Sequence, residues 1–233
     1  MKMSNLNPIF FEKTKDGERV YDVSSRLIKD RVIFVDTEID QEVASNITSL
    51  LFLLNHENEK REIQLWINSP GGSVQGLFAI YDMIYYRIKA PVHTICIGEA
   101  CSAAAILLAA GTKGKRFCTP NAKVMIHQIQ VDGIGGSNAE VEINTKELKK
   151  VQERLTEILA RHTSHTKAKI KRDTKMDRWM SAEEAKAYGI IDFIFPSTRN
   201  VPDLLKSEPI KTEKTESKTE KPSEDSEEGD DEE

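Results

Sequence analysis

Two periods of apolar and polar positions alternate along the chain. Arg31-Val-Ile-Phe-Val35 is a β-branched and aromatic run, which predicts a short strand. Asp40 stands ready to cap a helix whose apolar positions, Val43, Ile47, Leu50, Leu51 and Leu54, recur every three to four residues. A charged loop over 55–61 leads to Glu62-Ile-Gln-Leu-Trp-Ile67, where polar and apolar residues alternate as in a second strand. The turn Asn68-Ser-Pro-Gly-Gly-Ser73 precedes a helix through 79–88. A β-rich stretch over 91–97 then meets the turn Gly98-Glu-Ala-Cys-Ser102, which opens a small-residue helix over 103–110 with Gly111 as its stop.

The second half repeats this alternation of strand and helix. Short strands are predicted at 116–118 and 123–126. Gly133, Gly135 and Gly136 mark a loop. Ser137-Asn-Ala-Glu140 is a capping box, and Val141, Leu148, Val151, Leu155 and Ile158 after it keep helical spacing, so a long amphipathic helix is expected. Ser181-Ala-Glu-Glu184 caps a short helix closed by Gly189, and a last strand is expected over 190–194. Strands alternating with helices predict an α/β domain. The first 16 residues mix Asn, Pro8 and the apolar Ile9-Phe10-Phe11 and read as an arm whose structure the pattern determines poorly.

Charge is concentrated at one end. Residues 206–233 carry 12 acidic and 5 basic residues, a net of −7; 1–205 carry 28 basic and 26 acidic, a net of +2. The nearly neutral body gives no electrostatic case for nucleic acid. The Glu/Lys/Ser/Thr tail has too little apolar surface to fold alone. It reads as a solvating extension, with contact to a basic partner as the alternative. No apolar run approaches the roughly 20 residues of a membrane span, and no apolar core follows a basic start, so neither an anchor nor a secretory signal is expected. Cys96, Cys101 and Cys118 are odd in number and lack CxxC spacing. That argues against a disulfide framework or zinc site and fits a reducing cytoplasm.

Four elements carry candidate chemistry. Ser102, between strand and helix among small neighbours, can expose its hydroxyl at a helix start with the Ala103 N–H beside it. Alone, it reads more readily as an N-cap. The glycines of Asn68-Ser-Pro-Gly-Gly72 permit close backbone approach, so the Gly72 N–H can join an oxyanion hole; alone, this is an ordinary tight turn. His127 ends an apolar strand in Val124-Met-Ile-His-Gln128 and can act as a base, although four other histidines are present. Asp177, before Arg178-Trp179-Met180, can orient an imidazole, with Asp173 as the nearby competitor.

In this order the blocks resemble the proteolytic-subunit family of the Clp protease, ClpP. The resemblance runs from about residue 11 to 200. It is carried by the run Gly17-Glu-Arg-Val-Tyr-Asp-Val-Ser-Ser-Arg-Leu-Ile-Lys-Asp-Arg-Val-Ile-Phe34, by Ile67-Asn-Ser-Pro-Gly-Gly72 and by Gly98-Glu-Ala-Cys-Ser-Ala-Ala-Ala-Ile-Leu-Leu-Ala-Ala-Gly111. Gly114-Lys-Arg-Phe-Cys-Thr-Pro-Asn121, Met125-Ile-His-Gln128 and Arg172-Asp-Thr-Lys-Met-Asp-Arg-Trp-Met-Ser181 follow in order, then Glu184-Ala-Lys-Ala-Tyr-Gly-Ile-Ile-Asp192.

The resemblance implies a ClpP/crotonase-like fold, with repeated β-β-α units in a head domain and a long handle helix at about 138–162. It implies a peptidase domain over 17–200, flanked by an arm at 1–16 (a propeptide or an axial gate) and an acidic tail at 201–233. Ser102 would be the nucleophile, His127 the base and Asp177 the orienting acid, with Gly72 and Ala103 as oxyanion donors. The family stacks two seven-membered rings and receives unfolded proteins from an AAA+ ATPase partner. ATP would be used by that partner; this chain has no GxxxxGK[ST] segment and needs no cofactor or metal. A cytoplasmic location follows.

Some positions depart from the family. Ala103 stands where Met is common, Cys101 where Ala is usual, and Ile129 where Pro usually follows His-Gln. Where the family docks its ATPase on an apolar pocket, Phe52 and Trp66 are apolar, but Gln64 replaces an aromatic and Thr119 an aliphatic residue. Weaker docking is therefore expected. A regulatory ring subunit paired with a paralogue, a crotonase-like acyl-CoA enzyme and a membrane-bound Ser-Lys peptidase are the alternatives. The Ser-His pair disfavours the second, and the absence of a spanning segment the third.

Overall fold

A computed structural model of the chain describes residues 9–14, 17–131 and 133–196. Expectations for residues 1–8 and for the acidic tail lie outside the described residues.

Strand order follows from where apolar side chains can be covered. β3 (Val32–Val35), β4 (Ile63–Ser69) and β5 (Val92–Cys101) run parallel side by side. In β4, Ile63, Leu65 and Ile67 point into the core while Gln64 and Trp66 face outward, the alternation seen in the sequence. The core face is covered by α2 (Gln41–Glu57) and α3 (Val74–Asp82). Asp40 caps α2 by accepting from the Val43 N–H at 2.8 Å, and Ala44, Ile47, Leu51 and Leu54 form its buried stripe. α3 passes directly into a π-helical turn, Met83–Arg87.

β5 is long enough to hold two neighbours in succession. Its first half pairs with β6 (Arg116–Cys118), which in turn pairs with β9 (Phe193–Ile194); its last three residues pair with β7 (Lys123–Ile126). β8 (Arg178–Met180) lies antiparallel on β7, the exception in an otherwise parallel seven-stranded sheet. α4 (Ala103–Ala109) is buried along its whole length beneath β5. Its alanines allow that closeness. Gly111 stops it as expected, but for reasons of space: a Cβ there would meet Thr94 Oγ1 at 2.3 Å.

α5 (Asn138–Thr163) opens with the expected capping box and spans 26 residues. Its buried residues, Leu155, Thr156, Ile158, Leu159 and Thr163, all belong to the second half. Val141 and Leu148 of the expected apolar stripe are only partly covered, and Ile143 is 64 % exposed. α6 (Lys167–Asp173) and α7 (Ala182–Tyr188) complete the body. Gly189, at φ +86°, closes α7 as expected. The chain is thus a mixed α/β fold, with seven α-helices and a mostly parallel sheet among the described residues, in keeping with the α/β domain expected from the sequence.

Three expectations need refinement or correction. The arm, poorly determined by the sequence pattern, is regular over 9–14: Ile9–Thr14 is β1, paired antiparallel with β2 (Gly17–Asp22), which α1 (Val23–Lys29) follows. Apolar Phe11 and Val20 face each other there as good β-formers. The turn at 98–102 is strand as far as Cys101, so a single residue, Ser102, makes the change to helix. The last strand shrinks to two residues, because the Ile190 N–H is used to close α7, donating to the Ala185 carbonyl at 3.0 Å.

Candidate functional site

The end of β5 determines where Ser102 sits. Cys101 pairs with Met125 of β7, and the Ser102 N–H donates to the Met125 carbonyl at 2.8 Å. Ser102 then takes φ 54°, ψ −119°, a backbone conformation that L-residues rarely adopt. Such positions cost about 1–3 kcal/mol and persist only where the surroundings enforce them. Ser102 occupies the N-cap position of α4, yet its side chain makes no capping bond. Its Oγ lies instead 2.7 Å from His127 Nε2. The simple N-cap reading of Ser102 is therefore lost.

The sheet register also brings up the acid. β8 lies antiparallel to β7 with Ile126 opposite Arg178, so the next step places His127 opposite Asp177. His127 Nδ1 and Asp177 Oδ1 are 3.6 Å apart, just beyond hydrogen-bond reach, and Nδ1 is buried with no hydrogen-bond partner among the described residues. The Asp177 side chain is 48 % exposed. Its competitor Asp173 is engaged elsewhere: it accepts from Lys169 and, at 3.1 Å, from the Tyr188 hydroxyl.

Gly71 and Gly72 form the opposite wall. Gly72, at φ +143°, packs so closely on β3's extension that a Cβ would sit 2.4 Å from the Ile39 carbonyl oxygen. Ile39 N–H donates to the Gly71 carbonyl and Ser73 N–H to the Ile39 carbonyl, each at 2.7 Å. Those bonds hold the turn while leaving the Gly72 N–H without a partner among the described residues; the Ala103 N–H, in the first turn of α4, is likewise free.

Beside Ser102 and His127 opens a cavity of about 210 Å³. Gly72, Ala103, Val74, Leu77, Ile106, Ile126, Leu155 and Leu159 line it, and among the described residues no charged side chain contributes. Gln128, Ile129 and Gln130 form the remaining wall.

Competing nucleophiles and bases are occupied elsewhere. Burial, then Glu99, pushes the Cys101 thiol up to about 12, so it is not a thiolate at neutral pH. Cys96 and Cys118 are buried partners across β5 and β6. His162 is pushed down to about 4, chiefly by burial, and hydrogen-bonds with the Tyr81 hydroxyl. Buried His93 sits between Glu62 and Lys115. Among the described residues no group of three or more His, Cys, Asp or Glu side chains converges as a metal site, and no helix is long and apolar enough to cross a membrane.

The four expected docking residues are placed on three parts of the fold: Gln64 and Trp66 on β4, Phe52 on α2 and Thr119 just after β6. Trp66 stacks on Phe34 and donates its Nε1–H to Gln64 Oε1 at 3.0 Å on the outer sheet face. Thr119 follows β6, bonded to the Cys96 carbonyl. Phe52, on α2, makes no ring contact with the others. The sequence reading missed the stack of Phe117 on Phe193 and Phe195 beside this face, because Phe195 lies beyond its last strand. It also missed Ile106 and Leu159 as cavity residues; their helical spacing marks them as buried but not what they face.

A family model described as Clp protease matches residues 15–198 of the chain.

Proposed function

This chain belongs to the Clp protease family, a Clp-type proteolytic subunit of the serine-peptidase class, and on that premise we propose that Ser102, His127 and Asp177 form its catalytic triad. The observation that carries the reading is the 2.7 Å contact of Ser102 Oγ with His127 Nε2, made from a backbone forced to φ 54°. A hydroxyl kept from capping its own helix and aimed at an imidazole is built for attack.

In the proposed reaction His127, neutral and protonated at Nδ1, takes the Ser102 proton at Nε2 as Oγ adds to the peptide carbonyl. The new oxyanion accepts from the Gly72 and Ala103 N–H groups, each worth about 3 kcal/mol in the transition state. The intermediate collapses, the amine leaves with the proton from His127, and an acyl-Ser102 ester remains. Water, deprotonated by His127, then releases the acid. Asp177 supports the imidazolium once its 3.6 Å gap closes on substrate binding, as apo catalytic contacts often do.

The substrates would be unfolded proteins delivered by an AAA+ unfoldase that uses the ATP; this subunit needs no cofactor. The assembly would be two stacked heptameric rings in the cytoplasm. The half-covered apolar stripe of α5 supports a role for that helix in joining rings. The arm, a peptidase domain over 17–200 and a solvating tail remain the proposed organisation, and deleting 206–233 should leave peptidase activity unchanged. Unfoldase docking on the outer sheet face would be weakened at Gln64 and Thr119, and Gln64→Tyr with Thr119→Leu should tighten it in a titration.

A second reading, a subunit weakly active until a paralogue in the ring draws Asp177 inward, is favoured by the exposed Asp177 and the unpartnered His127 Nδ1. One experiment serves both. Hydrolysis of a fluorogenic peptide by an assembled particle, abolished in Ser102→Ala, supports the first. An assembled but silent particle supports the second, and activity surviving Ser102→Ala removes both.

A further inference from the structure

The wall of the Ser102 cavity is made by a short segment after β7 that has left the sheet. Gln128 and Ile129 carry two backbone N–H groups there, and each is held from a different element. The Gln128 N–H donates to the Thr174 carbonyl at 2.7 Å, three residues before Asp177. The Ile129 N–H donates to Gln152 Oε1, also at 2.7 Å, across 23 residues of chain. Gln152 is half-buried on α5 and is itself steadied by Thr156, which is 1 % exposed: its Nε2 donates to Thr156 Oγ1 at 3.4 Å, and Thr156 Oγ1 donates to the Gln152 carbonyl at 2.8 Å.

This bond requires a residue with an N–H at 129. Proline would leave the Gln152 carboxamide oxygen without a donor. Ile129 supplies both the donor and an apolar side chain packed on the core. The same face of α5 lines the cavity with Leu155 and Leu159. Helix and segment are thus joined by one polar bond over a shared apolar floor.

We propose that Gln152 is a positioning residue for substrate binding: its carboxamide oxygen, reaching from α5, fixes the 128–130 segment as the wall against which the substrate chain lies. The proposal rests on the peptidase reading above. His127 is held separately, by β7 and by Ser102, so the tether acts on the wall and leaves the proton-transfer pair in place. Loss of the tether therefore appears in KM, with kcat nearly unchanged.

The test uses the assembled full chain and a fluorogenic peptide. Gln152→Leu is expected to raise KM about tenfold, the order of one part-buried hydrogen bond lost from the bound state, with kcat within about twofold. Gln152→Glu keeps the acceptor oxygen and should restore KM. Ile129→Pro removes the donor, so adding Gln152→Leu to it should change KM no further. Additive effects of the two changes, a loss confined to kcat, or no rescue by Glu would overturn the proposal. Hydrogen exchange on the segment around Ile129 provides an arm that needs no turnover: Gln152→Leu should speed exchange at the Ile129 amide. Unchanged exchange refutes the tether even if the peptidase reading holds. Faster exchange in a particle with no peptidase activity upholds the tether and removes only the reading of a subunit active by itself.

Discussion

A peptide series that varies only the residue donating the scissile carbonyl probes the cavity beside Ser102. An aliphatic cavity of about 150 Å³ holds a benzene ring. The present one is about 210 Å³ and no charged side chain among the described residues lines it, so it has room for a benzyl or larger side chain. Full burial of such a side chain is worth about 1.5–3 kcal/mol. If that burial is made in the transition state, kcat/KM rises about 10- to 150-fold over an alanine peptide. An aspartate peptide gains nothing and loses hydration of its charge, so it should be cleaved more slowly than alanine. The assay is initial-rate cleavage of a matched fluorogenic series, with Ala, Leu, Phe, Trp or Asp at that position, by the assembled particle. Ala103→Met extends a side chain into the rim and should slow the Trp and Phe peptides more than the Leu peptide. Equal rates for Ala and Phe, or preference for Asp, would refute the argument from cavity shape and polarity.

Other consequences follow from single contacts. Arg116 and Asp192 form a buried pair, with Nη2–Oδ1 at 2.6 Å and side chains 4 % and 13 % exposed, so Asp192→Asn should cost about 3 kcal/mol in denaturant unfolding. Burial alone would raise the Asp192 pKa, but the bond to Arg116 and its charge outweigh that and hold the carboxyl below its ordinary value. This contribution is therefore fully present at neutral pH and is lost as pH falls from about 4 through the lowered folded value; melting temperatures should fall over that range in the native chain and less in Asp192→Asn. Gly72→Ala places a Cβ against the Ile39 backbone at a φ of +143°, so the turn must shift, and kcat should drop by about two orders of magnitude while the rings still assemble on a sizing column. Cys101→Ala should leave kcat/KM unchanged, because that thiol is buried and protonated at neutral pH.

The elements around the site could be read from the chain because local chemistry decides them. Asp40, Ser137 and Ser181 each sit where a carboxylate or hydroxyl can cap a helix, and each does so. The alternation at 62–67 identified both faces of β4. Ser102, His127 and Asp177 could be named from their blocks, but only the parallel pairing of β7 on β5 and the antiparallel pairing of β8 on β7 bring them together. Such pairings join residues far apart in the chain and leave no local trace. Gln152 shows the same limit. A glutamine on an amphipathic helix looks like any solvated residue until the fold sets the Ile129 N–H in front of it. The pairing of β1 with β2 has no period in the sequence because the two strands are stabilised by each other, not by a buried face that would impose one.

The central claim is that Ser102 is an activated nucleophile. Incubating the assembled particle with a fluorophosphonate probe, then mapping the phosphonylated peptide by mass spectrometry, tests it most directly. The account predicts one adduct, on Ser102, formed with loss of fluoride, absent in Ser102→Ala and strongly slowed in His127→Ala. An adduct on another residue, or labelling of Ser102 at the same rate without His127, would contradict it.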